Sequence, residues 1–225
     1  MKNFPYILFD LDGTLIDSGE GIINSAAYAL EHMGIPLPED RRELGRFVGP
    51  PLSESYPEFY HLSPSETEQA VKLHNEYYFT TGLWQCTIYP GIPELLTRLQ
   101  NAGRKLMVAT SKPEPYTMPL MKKLGLDRYF IFIAAAEDDS GPRSAKKDVI
   151  QYGLDSCGIT DISSVVMVGD RKFDINGANC FGMDSIGVTY GGYGSAEELK
   201  AAGATWLADS PQAVGDLLLG REEAQ

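Results

Sequence analysis

Short runs of almost unbroken apolar sequence, each ending on charged or hydroxyl residues, constrain the fold of this chain most. Tyr6-Ile7-Leu8-Phe9, Lys105 to Ala109, Ile131 to Ala134, Val165-Val166-Met167-Val168 and Ser185 to Val188 are such runs. Strands with one wet face alternate apolar and polar residues, whereas these do not, so they predict strands covered on both faces. Helical stretches separate them from Tyr89 onward. Ile92 to Asn101 stops at Gly103, and a proline-punctuated helix ends at Leu124 before Gly125. Lys147 to Cys157 stops at Gly158, and Ser195 to Ala202 opens with a capping box of Ser195 and Glu198. This alternation predicts an α/β fold, a parallel sheet with helices on both faces.

The alternation is interrupted just after its first strand. From Asp17 to Ile88 no strand is expected, and the helical signals dominate. Gly21 to Met33 places Ile22, Ala26, Ala27, Leu30 and Met33 at helical spacing before Gly34. Ser63-Pro64-Ser65-Glu66 reads as a capping box opening a helix toward Thr80. The expected organisation is a core of residues 1–16 and 89–225 with a helical domain, 17–88, inserted into it. Arg221 to Gln225 reads as a frayed tail.

Charge and composition narrow the functional classes. The 225 residues carry 31 acids against 19 bases, a formal net charge of −12, without a basic block. Phosphate neutralisation supplies the affinity for nucleic acid polymers and acidic membranes, so neither is an expected partner. The N-terminus is too short and too charged for a secretory signal, and no apolar run approaches a membrane span, which predicts a cytoplasmic protein. Cys86, Cys157 and Cys180 are odd in number and widely spaced; they predict reduced thiols on helix faces rather than disulfides or a zinc site. His32, His61 and His74 all fall in the insertion without a pairing spacing and are read as surface or packing residues.

In a parallel sheet, ligands gather beyond the carboxyl ends of the strands. The first strand ends Asp10-Leu11-Asp12-Gly13-Thr14. Asp10 and Asp12 project the same way from an extended chain, and two carboxylates facing one point repel unless a cation or a shared proton intervenes. A simple turn and a calcium loop compete with that reading, although the loop needs a third acid. The second strand ends Thr110-Ser111-Lys112, offering hydroxyls and backbone amides to an anion. Lys146 and Lys147 stand at the start of the helix after the third strand, where the helix dipole disfavours lysine. Val165 to Val168 runs into Gly169-Asp170-Arg171-Lys172-Phe173-Asp174, with Asp174 one helical turn beyond Asp170.

An acid pair, a hydroxyl, a lysine and a further acid thus follow successive buried strands. This constellation resembles the haloacid dehalogenase-like superfamily of phosphohydrolases, and most closely its phosphoglycolate-phosphatase-like branch with a helical cap. Phe9 to Ser18 carries the first motif, Ala109 to Pro113 the second, Lys146 the third and Gly169 to Asp174 the fourth. The third motif departs from the family's Lys followed by Pro-x-Pro, reading Lys146-Lys147-Asp148, so that Lys147 is the alternative. The lead-in Glu137-Asp138-Asp139 is unusually acidic for a phosphate site.

The resemblance implies a Rossmann-like core and a Mg²⁺-dependent phosphatase acting on a small phosphorylated metabolite, phosphoglycolate-like or a nucleotide. It makes Asp10 the nucleophile, forming an aspartyl-phosphate, and Asp12 the general acid and then base. Mg²⁺ is expected on Asp10, the Asp12 carbonyl and Asp170, with Asp174 orienting that set from behind. Thr110 and Ser111 would hold phosphate oxygens, Lys146 would neutralise them, and Thr14, Arg46 and Gly49 are further expected substrate contacts. The insertion holds eleven acids against four bases, three of the bases being Arg41, Arg42 and Arg46. Arg46 to Leu52 resembles the cap loop of related phosphatases, and Asp17-Ser18 and Tyr89-Pro90-Gly91 would be the linkers about which that cap closes. A monomer or weak homodimer is expected. A sugar-phosphate mutase of β-phosphoglucomutase type shares all four motifs. A receiver-like phospho-acceptor module differs in its acid spacing and lacks the insertion.

Overall fold

The structure is a computed structural model and describes residues 2–137 and 141–220. The chain divides into two compact units, residues 1–15 with 88–225, and residues 16–87. The division falls one residue before the expected insertion at either end. Asp138, Asp139 and the Arg221–Gln225 tail lie outside the described residues.

The larger unit is built on a six-stranded sheet. Its strands are β1 (Tyr6–Phe9), β4 (Lys105–Pro113), β5 (Phe132–Ala136), β6 (Val165–Gly169), β7 (Asp184–Val188) and β8 (Trp206–Ala208). They run in the order β5-β4-β1-β6-β7-β8, with every pairing parallel. The expected parallel sheet is therefore present, with β8 added at one edge. Leu8, Met107, Ala109, Ala134, Val165 and Met167 share one packed cluster with Val149, Ile150 and Leu154. Ile7 and Phe9 alternate to the other face and are buried as well.

The helices of this unit are α4 (Ile92–Asn101), α5 (Glu114–Lys123), α6 (Lys146–Ser156), α7 (Lys172–Asn179), α8 (Ala196–Ala201) and α9 (Pro211–Leu219). α6 starts at Lys146, one residue earlier than the hydrophobic period suggests, and packs on β4, β5 and α7. Ser195 and Ser210 cap α8 and α9 by accepting from the amides of Glu198 and Ala213.

The topology places β1 between β4 and β6. Phe9 is level with Val108 on one side and Val168 on the other. Residues just past this line are therefore neighbours in space although they lie 100 and 160 positions apart in the chain.

The inserted unit contains α1 (Gly19–His32), α2 (Leu52–Tyr60) and α3 (Pro64–Thr80), with a 3₁₀ turn at Arg41–Phe47. The Ser63 capping box forms as expected, the Ser63 amide donating to Glu66 at 2.8 Å. Two-residue strands, β2 (Ile16–Asp17) and β3 (Thr87–Ile88), pair where the chain enters and leaves this segment. They are too short to register in the apolar pattern. Tyr56 is fully buried and its hydroxyl lies 3.1 Å from Nδ1 of the buried His74. The other two histidines, His32 and His61, are exposed. The three cysteines are free, but Cys180 is exposed beyond the end of α7 rather than packed on a helix face. Among the described residues no helix is long and apolar enough to cross a membrane.

Candidate active site

Asp10 emerges at the end of the central strand, its amide donating 2.9 Å to the carbonyl of Val168 on β6. Asp170, at the end of β6, and Asp174, in the first turn of α7, converge on it. One carboxylate oxygen from each of the three lies within 4.8 Å of the other two, and all three residues are buried. Lys146 enters from the start of α6. Its ammonium donates to Asp10 Oδ1 at 2.6 Å and to the Ala109 carbonyl at 2.9 Å, and lies 2.8 Å from Asp174 Oδ1. Lys147 is exposed. The lysine disfavoured by the helix dipole is thus held by two carboxylates and a strand carbonyl.

Two glycines make room for this convergence. Gly13 adopts φ +83°, and a Cβ there would lie 2.3 Å from Asp170 Oδ2. A Cβ on Gly169 would lie 2.3 Å from the Asp174 carboxyl carbon. Neither position tolerates a side chain without moving a carboxylate.

Electrostatics make the cluster incomplete as it stands. Burial, reinforced by Asp174, raises the Asp10 carboxyl to about 7 against the pull of Lys146. Burial also pushes Asp170 well above the ordinary carboxylate range, with Asp174 and Asp10 adding to it. Burial opposes the charge on Lys146, yet Asp10 and Asp174 outweigh it and keep the amine protonated. Three carboxyl groups face one lysine, so full ionisation of the cluster would leave two negative charges uncompensated. Asp170 Oδ2 is moreover buried with no hydrogen-bond partner among the described residues, a costly condition for a carboxylate oxygen. An all-oxygen set with an orphaned oxygen and that charge fits a hard divalent cation.

The rest of the predicted residues divide. Thr14, an expected substrate contact, is fully buried, and its hydroxyl donates to Asp170 Oδ1 at 3.3 Å. The positive φ of Gly13 reverses the chain before it, which is why its side chain turns inward. Thr110 is buried in β4, just before the register of that strand shifts, and its hydroxyl accepts from the Lys112 amide at 3.1 Å. Ser111 is half-buried beside it. Arg46 and Gly49 belong to the inserted unit. There the exposed Arg46 guanidinium sits 4.5 Å from the Phe59 ring centroid and 5.2 Å from that of Tyr60, and Gly49 has φ +103°. Arg41 and Arg42 are ion-paired with Glu31 and Asp40, whereas Arg46 has no carboxylate partner among the described residues.

Lys112 is the residue that sequence reasoning passed over. Its ammonium grips both oxygens of Asp12, at 2.9 and 3.1 Å, and its side chain is almost fully buried. The pairing of β4 with β5 shifts between Thr110 and Pro113, a bulge that frees this stretch from the regular ladder. The Thr117 hydroxyl of α5 fastens it by donating to the Lys112 carbonyl at 3.1 Å. The available signal was a lysine following two hydroxyl residues at a strand end.

A parallel α/β sheet carrying a buried carboxylate cluster and a lysine at its strand ends defines a class suited to handling phosphate with a divalent ion. Comparison with known proteins makes the class specific. Residues 7–188 match the family described as haloacid dehalogenase-like hydrolase. A 5'-nucleotidase of Pseudomonas aeruginosa is 41% identical over 198 residues, 88% of each chain. The tyrosine-protein kinase PtkA of Mycobacterium tuberculosis is 37% identical over 199 residues, 88% of this chain and 66% of that protein. A phosphoglycolate phosphatase of Vibrio vulnificus is 31% identical over 225 residues, 97% of each. The crystal structure of a predicted phosphatase from Clostridium acetobutylicum superposes with a TM-score of 0.90 at 39% identity, covering 96% of this chain and 99% of the other. The chain belongs to the haloacid dehalogenase-like hydrolases.

Proposed function

We propose that the protein hydrolyses small phosphate monoesters through an aspartyl-phosphate on Asp10, with Mg²⁺ as its cofactor. One observation carries this reading. Asp10, held at 2.6 Å by Lys146, shares a buried cluster with Asp170 and Asp174 in which an oxygen of Asp170 has no hydrogen-bond partner among the described residues. Mg²⁺ would be held by Asp10 and Asp170, with the Asp12 carbonyl and Asp174 beside them, and when bound it offsets the repulsion between carboxylate and phosphate dianion.

The chain's own residues supply the remaining steps. The Asp10 carboxylate attacks phosphorus as the bond from phosphorus to the leaving oxygen breaks, and Asp12 gives that oxygen its proton. Lys146 compensates the negative charge spread over the phosphoryl oxygens, while Thr110 and Ser111 orient them. A water then attacks the acyl-phosphate, Asp12 takes the water's proton, and the bond between phosphorus and Asp10 breaks to release inorganic phosphate. Lys112 holds Asp12 in one orientation throughout. Arg46, stacked on aromatic rings and without a carboxylate partner among the described residues, is the proposed determinant of substrate choice. Relatives named 5'-nucleotidase and phosphoglycolate phosphatase support a nucleotide or phosphoglycolate-like substrate.

The test is a panel of phosphorylated metabolites and p-nitrophenyl phosphate, assayed for phosphate release with Mg²⁺ and with EDTA. EDTA is expected to abolish turnover, and Asp10→Asn to lower kcat by about a thousandfold or more. Arg46→Ala should lose more on the preferred metabolite than on p-nitrophenyl phosphate. Folded Asp10→Asn protein that keeps a substantial part of its kcat would falsify the covalent mechanism.

A further inference from the structure

Beyond the four segments that supply reactive side chains, a fifth crosses the same strand ends. After β7 the chain reads Thr189-Tyr190-Gly191-Gly192-Tyr193-Gly194-Ser195. β7 pairs with β6 so that Gly187 lies level with Gly169, which delivers this loop beside Asp170. Its contacts there are with backbone. The Tyr190 hydroxyl donates to the Thr14 carbonyl at 2.7 Å. A Cβ on Gly191 would lie 2.3 Å from the Gly13 carbonyl oxygen, and one on Gly194 would lie 1.7 Å from the Asp170 carbonyl oxygen.

The three glycines have different reasons to be glycine. Gly192 has φ +78° and open space around it, so its requirement is conformational. Gly191 and Gly194 do not have positive φ; their requirement is the closeness of the carbonyls beneath them. Those carbonyls belong to the Gly13 turn and to Asp170, the two backbone stretches whose separation sets the distance between the Asp10 and Asp170 carboxylates. The Tyr190 ring is further braced edge-on by Tyr89, with centroids 5.4 Å apart.

We propose that residues 190–194 form a positioning loop that locks the end of β6 against the turn after β1, fixing the spacing of the divalent-ion ligands. Tyr190, Gly191 and Gly194 are positioning residues in this scheme; they act on the ion through Thr14, Gly13 and Asp170. The inference rests on the proposed function, because the separation of these carboxylates matters only if they share an ion.

The experiment uses the full chain stripped with EDTA and measures Mn²⁺ binding by calorimetry, alongside thermal melting and kcat and KM for p-nitrophenyl phosphate. Tyr190→Phe keeps the ring and removes only the donor to Thr14. It is expected to weaken Mn²⁺ binding about 10-fold, the low end for outer partners of metal ligands, and to raise the Mg²⁺ needed for half-maximal rate equally. KM at saturating Mg²⁺ should stay within about twofold, since no phosphate contact is lost. Gly194→Ala should weaken Mn²⁺ up to about 100-fold. A loop that only stabilises the fold would lower the melting temperature and leave the Mn²⁺ affinity of the folded protein unchanged, and that result overturns the proposal. Should Gly194→Ala not fold, wild-type affinity in Tyr190→Phe overturns it alone. A wild-type protein that takes up no divalent ion defeats the proposed function and this inference together; normal uptake with unaffected variants defeats this inference only.

Discussion

Asp170 is repelled by both Asp10 and Asp174, is fully buried, and has one oxygen without a hydrogen-bond partner among the described residues. In the ion-free protein such a residue destabilises the fold that carries it, a cost often found where a site is built for chemistry. Asp170→Asn removes the repulsion and supplies an amide donor to a neighbouring carboxylate. Relief of roughly 1–2 kcal/mol is the expected scale for one buried, unpaired polar oxygen. At about 2–4 °C per kcal/mol for a chain of this size, the melting temperature in EDTA should rise by roughly 2–8 °C. Mg²⁺ should then stabilise the wild type further and the variant hardly at all, while phosphatase activity disappears. A variant that melts lower than the wild type in EDTA would contradict this account of the cluster. Residues of this kind were the legible part of the sequence. Asp10, Lys146, Asp170 and Asp174 each stand at the end of a strand or in the first turn of a helix, where chain pattern alone fixes location. The hydrogen bond from Thr14 to Asp170 was not legible, because the direction of that side chain depends on the φ of Gly13, which no periodicity encodes.

Elements show the same division between what pattern determines and what packing determines. β1, β6 and α1 follow from apolar runs and stop signals. α2 hides behind Pro57 within its length, and β8 is only three residues long; both depend on neighbours for their existence. Lys112 was illegible for a related reason, since the β4 bulge that frees it is a register shift with a partner strand. The contact between α6 and α7 gives a test at this scale. Gly177 lies inside α7, where alanine would favour the helix by about 1 kcal/mol. A Cβ there, however, would lie 2.9 Å from Lys146 Cγ and 3.2 Å from Ile150 Cδ1. The Lys146 stem has little freedom to retreat, because its ammonium is fixed between Asp10 and Asp174. Overpacking at about 1–3 kcal/mol outweighs the propensity gain. Gly177→Ala is therefore expected to lower both the melting temperature and kcat. A more stable variant of unchanged activity would show that the stem can move aside.

At the scale of the whole molecule, the inserted unit separates β1 from every strand it pairs with. Its partners are residues 105–108 on one side and 165–168 on the other. The inserted unit closes over shorter sequence separations, α1 packing on α3 and on the 3₁₀ turn that follows it. Loop-closure entropy makes distant parallel pairings slow to form. Pulse-labelled hydrogen exchange during refolding should therefore protect the amides of α1 and α3 before those of Ile7, Leu8 and Phe9. Simultaneous protection of both sets would indicate one cooperative collapse.

The same connectivity bears on how the chain is made. Tyr6-Ile7-Leu8-Phe9 is translated before either strand it pairs with, and one of its two edges lacks a partner until the segment ending at Val168 has followed. Over that interval the nascent polypeptide carries an apolar, strand-prone tetrapeptide with Asp10 and Asp12 directly behind it, and those like charges discourage premature association between neighbouring chains.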